Sequence, residues 1–349
     1  MKLVHGGDVY RHPDVIDFSA NINPLGTPPK VVEAAREAAG KMEHYPDVCC
    51  QELKKALAAY EGVEEAWIRC GNGAAELIFS LVLAVRPRRA LLYEPTFAEY
   101  RQALGSWGCR VETVYLREEE GFRLGEDFLE QIKPGLDMVF LCNPNNPTGL
   151  LIDRGLLERI LKKCRRVGAL LVVDECFLDF VEGREQWELK PYLESCPHLV
   201  LLKAFTKRYA MAGIRLGYCL CSNEKLLERM AAVTQPWNVS APAQAAGVAA
   251  LKEEEHVKQA RNLVLRERSR LRKEMIRLGL EVWDSRANYL FFKGPAGLCE
   301  SCLQRKLLLR SCGNYPGLTQ EYYRIAVRKP QENDRLLEAL GELLGKGSV

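Results

Sequence analysis

The chain has little net charge of either sign: 49 Lys and Arg stand against 46 Asp and Glu in 349 residues, a formal net charge of +3. That balance lacks the electrostatic footprint of a dedicated nucleic-acid binder and directs attention to small-molecule partners. No uncharged apolar run reaches the roughly 18–20 residues of a membrane span. The best stretch, Leu77 to Val85, stops at Arg86-Pro87. The opening residues, Met1-Lys2-Leu3-Val4-His5-Gly6-Gly7-Asp8, put no apolar segment behind their one lysine, so neither a secretory signal nor a transit peptide is expected. The mature protein is expected to begin there. Internal repeats and low-complexity segments are also missing, and the composition disfavours disordered, collagenous and coiled-coil classes. The 13 cysteines are an odd number scattered through predicted helices and strands, a usage that suits free thiols in a reducing cytoplasm better than a disulfide framework. Cys299-Glu300-Ser301-Cys302 has no second pair or histidine at ligand spacing, so it reads as two thiols on a helix and no metal is expected.

What is present is the composition of an ordinary soluble globular protein, with 47% hydrophobic and 27% charged residues. Apolar β-rich runs alternate with helical patterns between about residues 65 and 245. Strands are expected at Trp67–Cys70, Ala90–Tyr93, Met138–Cys142, Leu170–Val173, Leu199–Lys203 and Leu216–Leu220, with helices at Ala74–Val85, Phe97–Gly105 and Gly155–Val167. Strands that are apolar on both faces, separated by helices, predict an α/β fold with a mostly parallel central sheet sandwiched by helices. From about 254 to 278 a long helix is expected, because Val257, Ala260, Val264, Leu271, Met275 and Leu278 form one apolar stripe. Its cluster Arg266-Glu267-Arg268-Ser269-Arg270 is interleaved with acid and reads as a solvated face. Strands near 281–283, 289–292, 307–310 and 323–327 and helices near 300–306 and 333–344 complete a smaller α/β unit. The expected division is a large domain over 45–245, a small C-terminal domain over 246–349, and an N-terminal arm over 1–44 that packs on the small domain and the active site.

Four segments carry chemistry at strand ends. Gly71-Asn72-Gly73-Ala74-Ala75-Glu76 opens a helix after a strand, an arrangement that offers backbone N–H groups to a phosphate and is equally a common turn. Asn143-Pro144-Asn145-Asn146-Pro147-Thr148-Gly149 presents polar side chains at the end of the next expected strand, or is turn chemistry alone. Val172-Val173-Asp174-Glu175 ends an apolar run in two carboxylates, where a parallel sheet displays ligand-binding groups, unless Asp174 merely caps a helix. Thr206-Lys207 follows another strand, and Gly213-Ile214-Arg215 precedes the next, so Lys207 is a Schiff-base candidate and Arg215 an anion grip.

In that order these segments resemble fold-type I pyridoxal-phosphate enzymes of the aspartate-aminotransferase superfamily. Within it the chain is similar to the histidinol-phosphate aminotransferase branch, and more closely to threonine-phosphate decarboxylases of cobalamin biosynthesis. The closer likeness rests on His5-Gly6-Gly7, on Asp17-Phe18-Ser19-Ala20-Asn21-Ile22-Asn23-Pro24-Leu25-Gly26, on Tyr45-Pro46-Asp47, on Arg310-Ser311-Cys312-Gly313-Asn314-Tyr315-Pro316-Gly317-Leu318 and on Tyr322-Tyr323-Arg324-Ile325-Ala326-Val327-Arg328. It spans nearly the whole chain.

The resemblance implies pyridoxal 5'-phosphate as cofactor, Lys207 as the catalytic residue that holds it covalently, and Asp174 paired with its ring nitrogen. It further implies Asn146 on the ring oxygen and Phe97 stacked on the ring. The phosphate would sit on the backbone of Gly73 and Ala74 with Thr206 and Arg215, and Tyr45 would reach in from a second subunit, hence a homodimer. For substrate it implies a phosphorylated amino acid, with Arg324 on the carboxylate and Arg310 on the phosphate, an assignment open to exchange, joined by His5, Gly6 and Asn21. The implied activity is decarboxylation of O-phospho-L-threonine to 1-amino-2-propanol phosphate. O-phospho-L-serine, and transamination of histidinol phosphate, stand as alternatives. Two departures are visible. Phe177 stands where aminotransferases of this branch place Tyr, and Ala204 stands three residues before Lys207, where Ser or Thr is usual. The first favours decarboxylation, and the second removes a phosphate contact. A non-catalytic ligand sensor on this fold would carry a DNA-binding domain in front of it, and the short arm contains no helix-turn-helix.

Overall fold

The computed structural model describes residues 5–346; residues 1–4 of the expected arm lie outside the described residues. The central sheet has seven strands in the order Ile68–Gly71, Gly217–Leu220, Leu199–Ala204, Leu170–Asp174, Met138–Cys142, Arg89–Glu94, Arg110–Tyr115. Gly217–Leu220 runs antiparallel to both of its neighbours, and the remaining pairs are parallel.

The apolar character of these strands follows from their having a core on each face. In Met138–Cys142, Met138, Phe140 and Cys142 join one core with Leu77 and Leu81 of the helix Gly73–Val85. Val139 and Leu141 join the opposite core, with Leu57 of the helix Gln51–Glu61 and Ile160 of the helix Arg154–Val167. A period of two along each strand thus decides which core a side chain enters, and one residue of slip would exchange all of them. Arg110–Tyr115 was not expected. As the edge strand it is exposed or half-buried along its length, so it lacks the apolar run that marks the inner strands.

The smaller unit is a four-stranded antiparallel sheet, ordered Arg310–Ser311, Tyr322–Ala326, Tyr289–Lys293, Glu281–Val282. It is covered by the long helix Glu254–Arg277 and by Pro330–Leu343, whose Val264, Leu271, Leu336 and Leu340 share a core with Leu290, Phe292 and Ile325. The single strand expected over 307–310 divides at Leu309. Leu307–Leu308 pairs in parallel with Ile16–Asp17, and Arg310–Ser311 pairs with the other edge of Tyr322–Ala326.

That division carries the N-terminal segment to the site. Phe18 donates its N–H to Leu308 at 2.8 Å and accepts from Ala326 at 2.7 Å, and Arg328 donates to the Asp17 carbonyl at 2.9 Å. Beyond Asn23, whose N–H reaches the Lys207 carbonyl at 3.0 Å, the chain crosses to the large unit, where the helix Pro29–Ala39 packs on Ala241–Ala250.

Candidate active site

A cavity of about 610 Å³ opens where the carboxyl ends of the central strands meet the N-terminal segment and the small unit. Cys142, Asp174 and Ala204 line it because each ends its strand on the same parity as residues that face one core, respectively Phe140, Val172 and Leu202. Glu175, one residue further, faces the opposite way. It lies 3.2 Å from the buried Lys203 amine, in an ion cluster with Glu61 and Glu188 outside the cavity. The two adjacent carboxylates thus have separate employment, set by the alternation of the strand.

Asp174 is held from two sides: the Tyr100 hydroxyl donates to Oδ2 at 2.7 Å and the Cys176 N–H donates to Oδ1 at 2.9 Å. Burial, with the Asp174 charge second, pushes the Tyr100 hydroxyl well up, so it remains a donor to that carboxylate. The Cys176 thiol is pushed up for the same two reasons and stays protonated beside the site. Lys207, on the short helix Phe205–Arg208, extends into the cavity with its amine 5.7 Å from the centre of the Phe177 ring. Burial pushes this amine down from 10.5 to about 8, with the Arg324 guanidinium the next cause and Arg215 adding to it. A lysine so placed is partly neutral, and therefore nucleophilic, near neutral pH.

On one side of Lys207 the helix Gly73–Val85 opens, with Ala74 and Ala75 on the cavity wall beside Thr206 and Arg215. Gly73 has φ +81, and a Cβ there would stand 2.6 Å from the Arg215 guanidinium; only glycine lets that side chain lie across the helix start. Arg215 is itself held at φ 61, a conformation disfavoured for a side chain of its size. Glu76 braces the turn, accepting from the Asn72 N–H and from Asn238 Nδ2, each at 2.6 Å. Orphan N–H groups, a helix dipole and a guanidinium together make an anion cradle.

On the other side stand two further guanidiniums. Arg324 donates to Asn146 Oδ1 and to the Ser19 carbonyl, the latter at 2.8 Å, and lies over the Tyr289 ring. Arg310 donates to Asn314 Oδ1 at 2.9 Å and lies over Tyr315. Asn21 is 2% exposed, and neither its amide nitrogen nor its oxygen has a partner among the described residues although it lines the cavity. An unpaired buried amide is costly unless a ligand completes it. Gly6 touches the Ser19 carbonyl so closely that a Cβ would fall 2.2 Å from its oxygen.

The structure thus gathers Lys207, Asp174, Asn146, Phe97, Ala74, Thr206, Arg215, His5, Gly6, Asn21, Arg310 and Arg324 around one cavity, with Gly73 directly behind the wall. Tyr45 stands apart: it is exposed on the surface and stacked on Trp237 at 4.5 Å. Tyr100, Glu99 and Tyr315 were missed in the sequence. For the first two a signal existed, because a helix starting after Phe97 returns its first turn to the strand ends. Asn145 also has a separate task from Asn146: it accepts from Thr96 at 2.9 Å and donates to Pro95 at 3.0 Å, and its carbonyl accepts from Tyr289, which locks the loop to the small unit.

A family model for aminotransferase class I and II matches residues 13–340. The chain belongs to that family. It is 40% identical to the threonine-phosphate decarboxylase of Salmonella typhimurium, over 97% of this chain and 96% of that protein. It is 35% identical to a histidinol-phosphate aminotransferase of Desulfitobacterium hafniense, over 95% and 92%. Among solved structures, the histidinol-phosphate aminotransferase from Clostridium acetobutylicum superposes with a TM-score of 0.88 at 29% identity, covering 94% of this chain and 98% of that one. The L-threonine-O-3-phosphate decarboxylase from Porphyromonas gingivalis gives 0.83 at 26%, covering 94% and 99%. The fold is therefore that of fold-type I pyridoxal-phosphate transferases, and the residues present fit the cofactor: a lowered lysine amine, a braced carboxylate and an anion cradle share one wall. Among the described residues no helix is long and apolar enough to cross a membrane.

Proposed function

We propose that this chain decarboxylates O-phospho-L-threonine to 1-amino-2-propanol phosphate, using pyridoxal 5'-phosphate. The observation that carries the reading is the presence of Arg310 and Arg324, together with His5 and an Asn21 amide that has no partner among the described residues, in the same cavity as Lys207. A substrate with both a carboxylate and a phosphate needs two separate anion grips beyond the one that holds the cofactor, and guanidinium supplies them in bidentate form. The 40% identity to a threonine-phosphate decarboxylase supports the same choice.

When bound, the cofactor's ring withdraws charge from the amino acid's central carbon and so weakens whichever bond there stands across the ring plane. Asp174, braced by Tyr100, keeps the ring nitrogen protonated. Arg324, tied to Asn146, would take the carboxylate, while Arg310 would take the phosphate; between them they would orient the substrate so that its carboxylate is the group released as CO₂. Lys207 then delivers the proton that replaces it at the central carbon. Phe177 contributes by what it omits, since a tyrosine hydroxyl there would add a donor at the ring oxygen.

The working form in this reading is a cytoplasmic homodimer. The Tyr45–Trp237 stack supports it, because it exposes two large aromatic rings on the surface, away from this chain's own cavity, where a second copy could cover them. The product suits the amino-alcohol linker of a cobamide. The test is to give the purified holoenzyme O-phospho-L-threonine, O-phospho-L-serine, or histidinol phosphate with 2-oxoglutarate. CO₂ from the first, without glutamate from the last, is the expected result. Glutamate without CO₂ would replace the reading with an aminotransferase. O-phospho-L-serine lacks one methyl and is expected to trail by only about 1–3 kcal/mol in transition-state binding.

A further inference from the structure

One acidic group on the cavity wall has no part in the chemistry above. Glu99 sits in the first turn of the helix Ala98–Ser106, two residues after Phe97, with its side chain 12% exposed. Its Oε2 has no hydrogen-bond partner among the described residues. Its Oε1 lies 3.4 Å from His5 Nδ1. Among the described residues, the charged and titratable groups that face it come from four other segments: His5, Lys207, Asp174 and Tyr315. Burial pushes the Glu99 carboxyl up, and His5 acts against that.

The N-terminal arm is fastened at two places. Its base is held by Gly6 against the Ser19 carbonyl and by the Gly7 N–H donated to Ser19 Oγ at 2.7 Å, with Ser19 Oγ in turn donating to Asp17 at 2.6 Å. Further out, the side chain of His5 is 55% exposed and has Glu99 as its ion-pair partner. A carboxylate on one ring nitrogen fixes the orientation of an imidazole and leaves the other nitrogen to the ligand.

We infer that Glu99 is a positioning residue: it holds His5 by Nδ1 so that the arm lies across the cavity and Nε2 is presented to the phosphate of the substrate. The inference rests on the proposed function, which supplies that phosphate. It explains why a carboxylate that burial disfavours stands beside a site for anionic substrate.

The test is a double-mutant cycle on the holoenzyme with E99Q, H5N and H5N/E99Q, read as KM and kcat for O-phospho-L-threonine. E99Q is expected to raise KM about tenfold and to change kcat less than about twofold. In the H5N background the same change should cost less than about twofold, because the residue through which it acts is gone. A cost as large in H5N as in the wild type, or a loss confined to kcat, would overturn the inference. E99Q removes a disfavoured charge and is expected to keep the wild-type Tm, and H5N alters an exposed side chain, so misfolding does not obscure the readout. Should the wild type transaminate histidinol phosphate instead, the decarboxylase reading falls, while the cycle read on that substrate's KM still decides the role of Glu99.

Discussion

The two halves of the cavity are built differently. The half proposed for the cofactor stands on the central sheet, where Asp174 already has two donors and the Gly73 turn is braced by Glu76. The half proposed for the substrate is assembled from the N-terminal arm and two strands of the small unit, and there Asn21 and Arg324 Nε have no partners among the described residues. The difference fits the proposed division of the cavity: polar groups are already paired where one fixed cofactor would sit and are left open where a ligand would enter and leave.

Removing a member of the cofactor half should therefore cost chemistry. Lys207→Ala is expected to abolish covalent cofactor attachment and to lower kcat by about 10³-fold or more, checked by absorbance of the purified protein and by CO₂ release. In the substrate half, Arg324→Lys should raise KM by about 10–100-fold through loss of the bidentate grip, with phosphothreonine and with unphosphorylated threonine alike. Arg310→Lys should penalise only the phosphorylated substrate. If the two patterns are reversed, the carboxylate and phosphate assignments exchange. Tyr100→Phe, which removes one of the two donors to Asp174, should lower kcat by roughly tenfold without altering KM.

Asn21→Ala tests the comparison from the stability side. It should raise KM by about tenfold and yet leave the ligand-free protein within about 1 kcal/mol of wild type, because the amide has no partner to lose among the described residues. An equivalent truncation in the cofactor half would destabilise.

The smallest expected effect is one of pH. The Lys207 amine must be neutral to capture the cofactor, so reconstitution of the apoprotein should accelerate as pH rises through about 8. The sign for stability follows from the same displacement. Between about 8 and the ordinary 10.5 the unfolded chain holds the proton that the folded chain has lost, so stability of the apoprotein contributed by this group rises with pH across that window. Calorimetry of the apoprotein and of Lys207→Ala at both ends of the window isolates it.

Legibility in the sequence follows the same divide. Met138–Cys142 stands where expected because burial on both faces writes a continuous apolar run, and Lys207, Asp174 and Arg215 are recognisable by their order at strand ends. Arg110–Tyr115 was invisible because, half-buried or exposed along its whole length, it needs no such run. The break at Leu309 was invisible too, since nothing local to Leu307-Leu308-Leu309-Arg310 tells which of two sheets each half will join. Glu99 and Tyr100 contact residues distant in the chain, His5 and Asp174, and those contacts exist only once the fold has formed. The resemblance to known decarboxylases named groups expected to touch cofactor and substrate, and the structure shows which of them line one cavity and which neighbours contact them.

The central claim is that a single amine binds the cofactor between a braced carboxylate and two anion grips. Borohydride reduction of the holoenzyme followed by peptide mass analysis tests it most directly. The account predicts a pyridoxyl group on the peptide that contains Lys207 and on no other; a tag on a different lysine, or none at all, would contradict it.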